Sequence, residues 1–258
     1  MKFNLTLFIC LFVSFSVRSQ DPFKDFTTID FTFQGHQAKV VLPQKKDSLA
    51  KWIWRARFWA HEPQTDLALL SNGFHLVYID VANLFGNQVA INLWNDFYIY
   101  CRETYHLNPK VALEGMSRGG LIVYNWAAQN TDKVACIYAD APVCDLKSWP
   151  GGKFKGIGSP DDWQKALAAH QLDEESILEY KNMPIYTAKA VAIAKIPILH
   201  ICGEDDLVVP YEENTAILEK TVIDEGGQIQ IILKKGFGHH PHSLQDPSPI
   251  VEFIRNNY

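Results

Sequence analysis

Thr27–Phe33 alternates apolar and polar residues, and Ala38–Leu42 is a short apolar run; Gln34-Gly35-His36 lies between them. This pattern predicts an antiparallel hairpin. From Trp52 onward the pattern changes to short, nearly continuous apolar runs: Trp52–Trp54, His75–Ile79, Val111–Leu113, Val134–Ala139, Ile198–Cys202 and Ile229–Leu233. Such runs read as strands buried on both faces. Helical stretches are expected between them near Pro63–Ser71, Val89–Tyr105, Arg118–Gln129 and Tyr211–Asp224. Strand–helix alternation predicts an α/β fold with a mostly parallel sheet wrapped by helices. One connection, Asp145–Lys195, is much longer than the others. It opens on the turn cluster Trp149-Pro150-Gly151-Gly152 and continues with expected helices near Asp161–His170 and Glu174–Lys181. It reads as a small cap (residues 145–195) over the strand ends, inside a single domain covering 20–258.

The first residues are unlike the rest. Lys2 precedes an uncharged run from Phe3 to Val17, followed by Arg18-Ser19-Gln20. A basic start, an apolar stretch and a small residue at the exit describe a secretory signal peptide over residues 1–19. Its polar content and length are short of the roughly 20 apolar residues that span a bilayer. The expectation is therefore a secreted or periplasmic protein with no stable membrane insertion after cleavage. Cleavage removes Lys2 and Arg18 and no acid, taking the formal charge from −5 to −7. No strongly basic run is present, so nucleic acid is not an expected partner. Cys101, Cys136, Cys144 and Cys202 remain after cleavage. Export permits disulfides, whose pairing the sequence leaves open, while buried free thiols are at least as well supported.

The residues richest in chemistry are Gly115-Met116-Ser117-Arg118-Gly119-Gly120, between a strand-like run and a helical one. Gly-x-Ser-x-Gly in that setting is the nucleophile-elbow pattern. A tight turn there projects the serine hydroxyl past the strand end and turns the following N–H groups toward a developing oxyanion. Serine needs a base, and the base needs an orienting acid, in the chain order Ser, acid, His. After the run Ile198–Cys202 comes Gly203-Glu204-Asp205-Asp206-Leu207-Val208-Val209-Pro210, with Asp206 the preferred acid and Asp205 the close alternative. Asp140 and Asp145, after the preceding strand, are weaker candidates. After the last strand comes Gly236-Phe237-Gly238-His239-His240-Pro241-His242-Ser243. His239 is the preferred base, and His240 and His242 are left to bind substrate, orient the loop or face solvent. His61 is placed near the same face. No metal is expected, because adjacent histidines on a turn rarely converge on one ion without further ligands.

On these three segments, in this order, the chain resembles the α/β-hydrolases over nearly all of its mature length. The resemblance implies about eight strands, helices on both faces, and Ser117, Asp206 and His239 as the catalytic residues, with no cofactor. It also implies an oxyanion donor at the Arg118 N–H and a second from the loop Arg55-Ala56-Arg57-Phe58-Trp59. The Ser117-Arg118 pair is similar to that of glucuronoyl esterases, although Gly119-Gly120 departs from their following lysine. Trp52-Ile53-Trp54-Arg55, Asp140-Ala141-Pro142-Val143-Cys144-Asp145 and Gly238–Ser243 are similar to exported hydrolases of Bacteroidetes-like bacteria, carbohydrate esterases on pectin among them. The expected function is thus a secreted serine esterase acting on a small-molecule or glycan ester. Arg55, Arg57 and Arg118 would meet a uronate carboxylate, and Trp54, Trp59, Trp149 and Trp163 a sugar face. His240 joins them as a substrate-binding candidate. The alternatives are a peptidase of the prolyl-oligopeptidase type, disfavoured because such proteins usually carry a propeller for which this chain has no room, or a non-catalytic glycan-binding homologue.

Overall fold

The structure is a computed structural model, and it describes residues 21–258. The expected signal peptide lies outside the described residues. Eight strands form one sheet: β1 (Thr27–Phe33), β2 (His36–Leu42), β3 (Trp52–Arg55), β4 (His75–Ile79), β5 (Val111–Met116), β6 (Val134–Asp140), β7 (Ile198–Gly203) and β8 (Ile229–Lys234). Their spatial order is β1-β2-β4-β3-β5-β6-β7-β8. The β1–β2 and β2–β4 pairs are antiparallel and every other pair is parallel. This is the α/β-hydrolase fold. The hairpin turn is tighter than expected: Phe33 pairs with His36. Gln34 and Gly35 alone make the turn, both at positive φ, as a two-residue primed turn requires.

Helices cover both faces. On one lie α1 (Gln64–Ser71) and, at the chain end, α8 (Ser248–Asn256), which bury Leu69, Leu70, Ile250 and Ile254 against β4 and β6. On the other lie α2 (Gln88–Tyr105) and α3 (Gly119–Gln129). Trp54 fills the junction of β3 with these two helices. Its ring stacks on Trp94 at 3.9 Å and meets Trp126 edge-on at 5.4 Å. Each such pair contributes about 0.5–1.5 kcal/mol beyond area burial. Trp54 and Trp163 are buried core rings and do not offer a sugar platform.

The long connection holds α4 (Pro160–His170), the single turn α5 (Ser176–Glu179) and α6 (Pro184–Ile193); α7 (Thr215–Asp224) follows β7. Only part of residues 145–195 behaves as a cap. α6 packs on α3 and α7 and buries Ile185, Ala188, Val191 and Ala192 in the main core. The expectation of a cap over the whole segment is corrected accordingly. A second correction concerns β8, an edge strand whose residues are all half-buried or exposed instead of fully buried. Among the described residues no helix is long and apolar enough to cross a membrane. Cys101, Cys136, Cys144 and Cys202 are all free and buried, which is the second of the two readings, buried thiols without a bridge.

Candidate active site

The parallel strands all point their C-terminal ends to one edge of the sheet, and the charged and nucleophilic residues collect there. Ser117 follows β5 directly. Its φ is +49°, in the left-handed region that non-glycine residues seldom adopt. The strained residue is held from both sides: its N–H donates to the Asp140 carbonyl at 2.8 Å, and its carbonyl accepts from Val143 N–H at 2.9 Å. The close approach is possible because Gly120 carries no side chain; a Cβ there would lie 2.7 Å from Pro142 Cβ. The hydroxyl is thereby fixed at the strand end.

His239 reaches it from the loop after β8. Ser117 Oγ and His239 Nε2 are 3.0 Å apart, and His239 Nδ1 lies 2.7 Å from Asp206 Oδ2. The other Asp206 oxygen accepts the Val208 and Val209 N–H groups at 2.8 and 2.9 Å. Asp206 is buried and Asp205 is exposed, its backbone N–H spent on the Phe237 carbonyl. Gly203 makes this possible: the histidine loop crosses so near it that an added Cβ would lie 2.2 Å from the Gly238 carbonyl oxygen. The structure therefore brings Ser117, His239 and Asp206 into one hydrogen-bonded line.

The two remaining histidines of the loop have distinct surroundings. His242 is buried, with Nδ1 at 2.6 Å from Asp140 Oδ1. Asp140 Oδ2 also accepts the Ser243 N–H at 2.7 Å and the Tyr138 hydroxyl at 3.2 Å. Asp140 thus serves a histidine, but not the one facing Ser117. His240 is exposed and makes no hydrogen bond among the described residues. Its ring meets His61 edge-on at 5.9 Å and His242 at 4.8 Å. Burial, then the neighbouring His242 and His239, holds the His240 pKa below its ordinary value; burial lowers that of His61 as well. Ligand-capable atoms of His239, His240 and His242 all lie within 4.8 Å of one another.

The arginines divide. Arg55 is not a substrate contact. It is 1% exposed and ion-paired with Asp66 and, at 3.1 Å, with Glu114. Burial opposes its charge, but the two carboxylates outweigh burial and raise its pKa. Burial, then Asp66, pushes Glu114 well above the usual carboxylate range. The guanidinium also donates to the carbonyls of Arg57, Phe58 and His61, shaping from behind the loop that carries Arg57. Arg57 itself lies against the elbow; a Cβ on Gly119 would lie 3.2 Å from its Cβ and 3.7 Å from its backbone nitrogen. Among the described residues neither the Arg57 nor the Arg118 backbone N–H has a protein acceptor. The Arg118 guanidinium lies over Phe85 and Trp149 and 3.5 Å from Asp162 of α4. Trp59 is turned away, its ring against Phe23 and Tyr78 and under the Lys39 ammonium.

Sequence reasoning missed Glu213. This buried carboxylate accepts from Ser148 Oγ at 2.7 Å and from the N–H groups of Lys155 and Gly156 at 2.6 and 3.2 Å. It bolts the first part of the cap to the chain that follows the acid loop. Nothing in Tyr211-Glu212-Glu213 distinguishes it from exposed Glu212.

Residues 98–257 match the model of the prolyl oligopeptidase family. The chain belongs to that family. No curated protein matches it. Among solved structures it is similar to the Pyrococcus horikoshii acylaminoacyl peptidase, with a TM-score of 0.68 and 18% identity over 90% of this chain and 42% of that one. It is also similar to Porphyromonas gingivalis dipeptidyl peptidase 4, with a TM-score of 0.68 and 12% identity over 90% and 35%. A Mycobacterium tuberculosis puromycin-hydrolyzing peptidase gives a TM-score of 0.65 and 15% identity over 85% and 36%. At these identities the likeness is one of fold, and this prolyl oligopeptidase family member spans less than half the length of each. The family match overturns the carbohydrate-esterase expectation, since both the family and these neighbours are described as peptidases. The propeller consideration misled because the eight-stranded unit holds Ser117, Asp206 and His239 by itself, whatever accompanies it.

Proposed function

We propose that this protein is an exported serine peptidase of the prolyl oligopeptidase type, cleaving an acyl bond of a short peptide substrate through an acyl-enzyme at Ser117. The observation that carries the reading is the 3.0 Å approach of Ser117 Oγ to His239 Nε2, with Asp206 behind it, in a member of this family. His239 takes the Ser117 proton as the oxygen attacks the carbonyl. Its Nδ1–H donates to Asp206, which fixes the tautomer and stabilises the imidazolium. The N–H groups of Arg118 and Arg57 meet the oxyanion; losing one such donor typically costs about 3 kcal/mol. His239 then protonates the leaving amine, and water attacks the acyl-enzyme by the same route in reverse. Residues Trp149 and Arg118 and helix α4 wall one side of the site, which favours short chains over folded protein.

The test is a panel of acylaminoacyl, dipeptidyl and tripeptidyl aryl amides with a fluorophosphonate probe of the nucleophile. Amide hydrolysis that Ser117→Ala lowers by at least about a thousandfold supports the reading. Cleavage of esters with no peptide or amide hydrolysis overturns it.

A further inference from the structure

We propose that His239, His240 and His242 form a binding site for a divalent transition-metal ion of the zinc type, and that the bound ion switches the enzyme off. Imidazole nitrogens suit Zn2+, Cu2+ and Ni2+. The three rings lie 4.8–5.1 Å apart between centroids, nearly perpendicular to one another. Their ligand-capable atoms fall within 4.8 Å. A tetrahedral zinc ion with Zn–N bonds of about 2.0–2.1 Å needs nitrogens roughly 3.3 Å apart. His240, exposed and without a hydrogen bond among the described residues, is the ring free to turn toward the other two.

The second observation is the way two of these rings are held. His239 gives Nδ1 to Asp206 and His242 gives Nδ1 to Asp140, so both present Nε2. A carboxylate behind each imidazole is the outer arrangement of histidine–zinc sites, where it fixes the ring and raises the basicity of the ligating nitrogen. The Asp206 pairing also serves the proton relay, but the pairing of buried His242 with Asp140 has no part in it. The three ligands leave a fourth position open beside Ser117, whose hydroxyl or a water fills it.

Occupancy has a defined consequence. The Nε2 lone pair of His239 that coordinates the ion is the one that accepts the Ser117 proton, and it does not do both. The binding half of the proposal stands apart from the catalytic reading; the inhibitory half rests on it.

The experiment titrates metal-free wild-type protein with Co2+, read by its visible absorption, and with Zn2+, read by calorimetry. One ion per chain is expected. His240→Ala weakens binding by more than the roughly 10- to 100-fold lost with an outer partner alone. His106→Ala, a histidine at the far end of α2, leaves it unchanged. Amide hydrolysis falls with Zn2+ occupancy and returns with a chelator, and His240→Ala needs correspondingly more metal for half-inhibition. Absence of binding, or binding insensitive to His240→Ala, overturns the site. Binding that depends on His240 while the loaded enzyme keeps its full rate overturns the inhibition and removes His239 from the ligand set, whereas the rate of His239→Ala tests it separately as the base.

Discussion

The rings of His239 and His242 stand 4.8 Å apart and nearly perpendicular, each held through Nδ1 by a different aspartate. Two histidine–carboxylate pairs therefore share one loop, but Nε2 of His239 alone lies within hydrogen-bond distance of Ser117.

That difference separates three substitutions. His239→Ala lowers kcat by at least about a thousandfold with little change in fold. His242→Ala strands Asp140 in a buried site and costs about 1–3 kcal/mol of stability, with a smaller loss of rate. His240→Ala leaves thermal stability unaltered. Steady-state kinetics on an aryl amide and thermal unfolding of the three variants check the order; a larger rate loss for His242→Ala than for His239→Ala contradicts it.

The acid loop offers a paired comparison. Asp206→Asn leaves the geometry but inverts the tautomer of His239, and a loss of about 10⁴ in kcat is expected. Asp205→Asn, at an exposed position, changes the rate by a few fold at most. Equal effects on kcat would remove Asp206 from its assigned place.

Arg55 acts on stability before chemistry. Arg55→Met leaves Asp66 and Glu114 facing each other without a cation and frees the carbonyls of Phe58 and His61. Breaking a buried pair in this way costs about 3–5 kcal/mol, visible as a lower urea midpoint. A midpoint within error of the wild type would show that the network is dispensable.

His200 sets an acid limit. It is fully buried, bonded to Tyr124 Oη at 2.6 Å and Thr215 Oγ1 at 3.0 Å, and burial pulls its pKa down to about 3. The unfolded chain binds a proton near pH 6.5 that the folded chain refuses. Its contribution is therefore intact above pH 6.5 and is lost as pH falls toward about 3, by at most about 1.4 kcal/mol per pH unit. Denaturant unfolding at several pH values, compared between wild type and His200→Gln, isolates this slope; identical slopes would discount His200.

The succession of strands along the chain and the Ser117–His239–Asp206 line were legible because each rests on local chemistry. Apolar runs marked β3 to β7, and glycines marked the turn at Ser117. What stayed hidden depended on which chain segments meet. Arg55 read as a substrate-binding cation on the loop after the strand, yet it ends β3 itself, in register with Glu114 of β5. Opposite charges inside two otherwise apolar strands were a usable sign of a buried pair. The run at β8 is as apolar as its neighbours, and only its place at the sheet edge leaves Leu233 partly in solvent. His239 and His242 are alike in sequence context; their roles separate only through Asp206 on one strand end and Asp140 on another. The choice of substrate was the least legible, because arginines and tryptophans suit sugars and cores alike, and most here proved to be cores.

The Glu213 clamp makes one wall of the reaction chamber removable without touching any atom that reacts. Its three donors, Ser148, Lys155 and Gly156, all belong to the stretch leading into α4. Loosening that single carboxylate would widen the entrance while leaving the catalytic rim intact, so the breadth of accepted substrates and the speed of turnover are free to diverge in this scaffold.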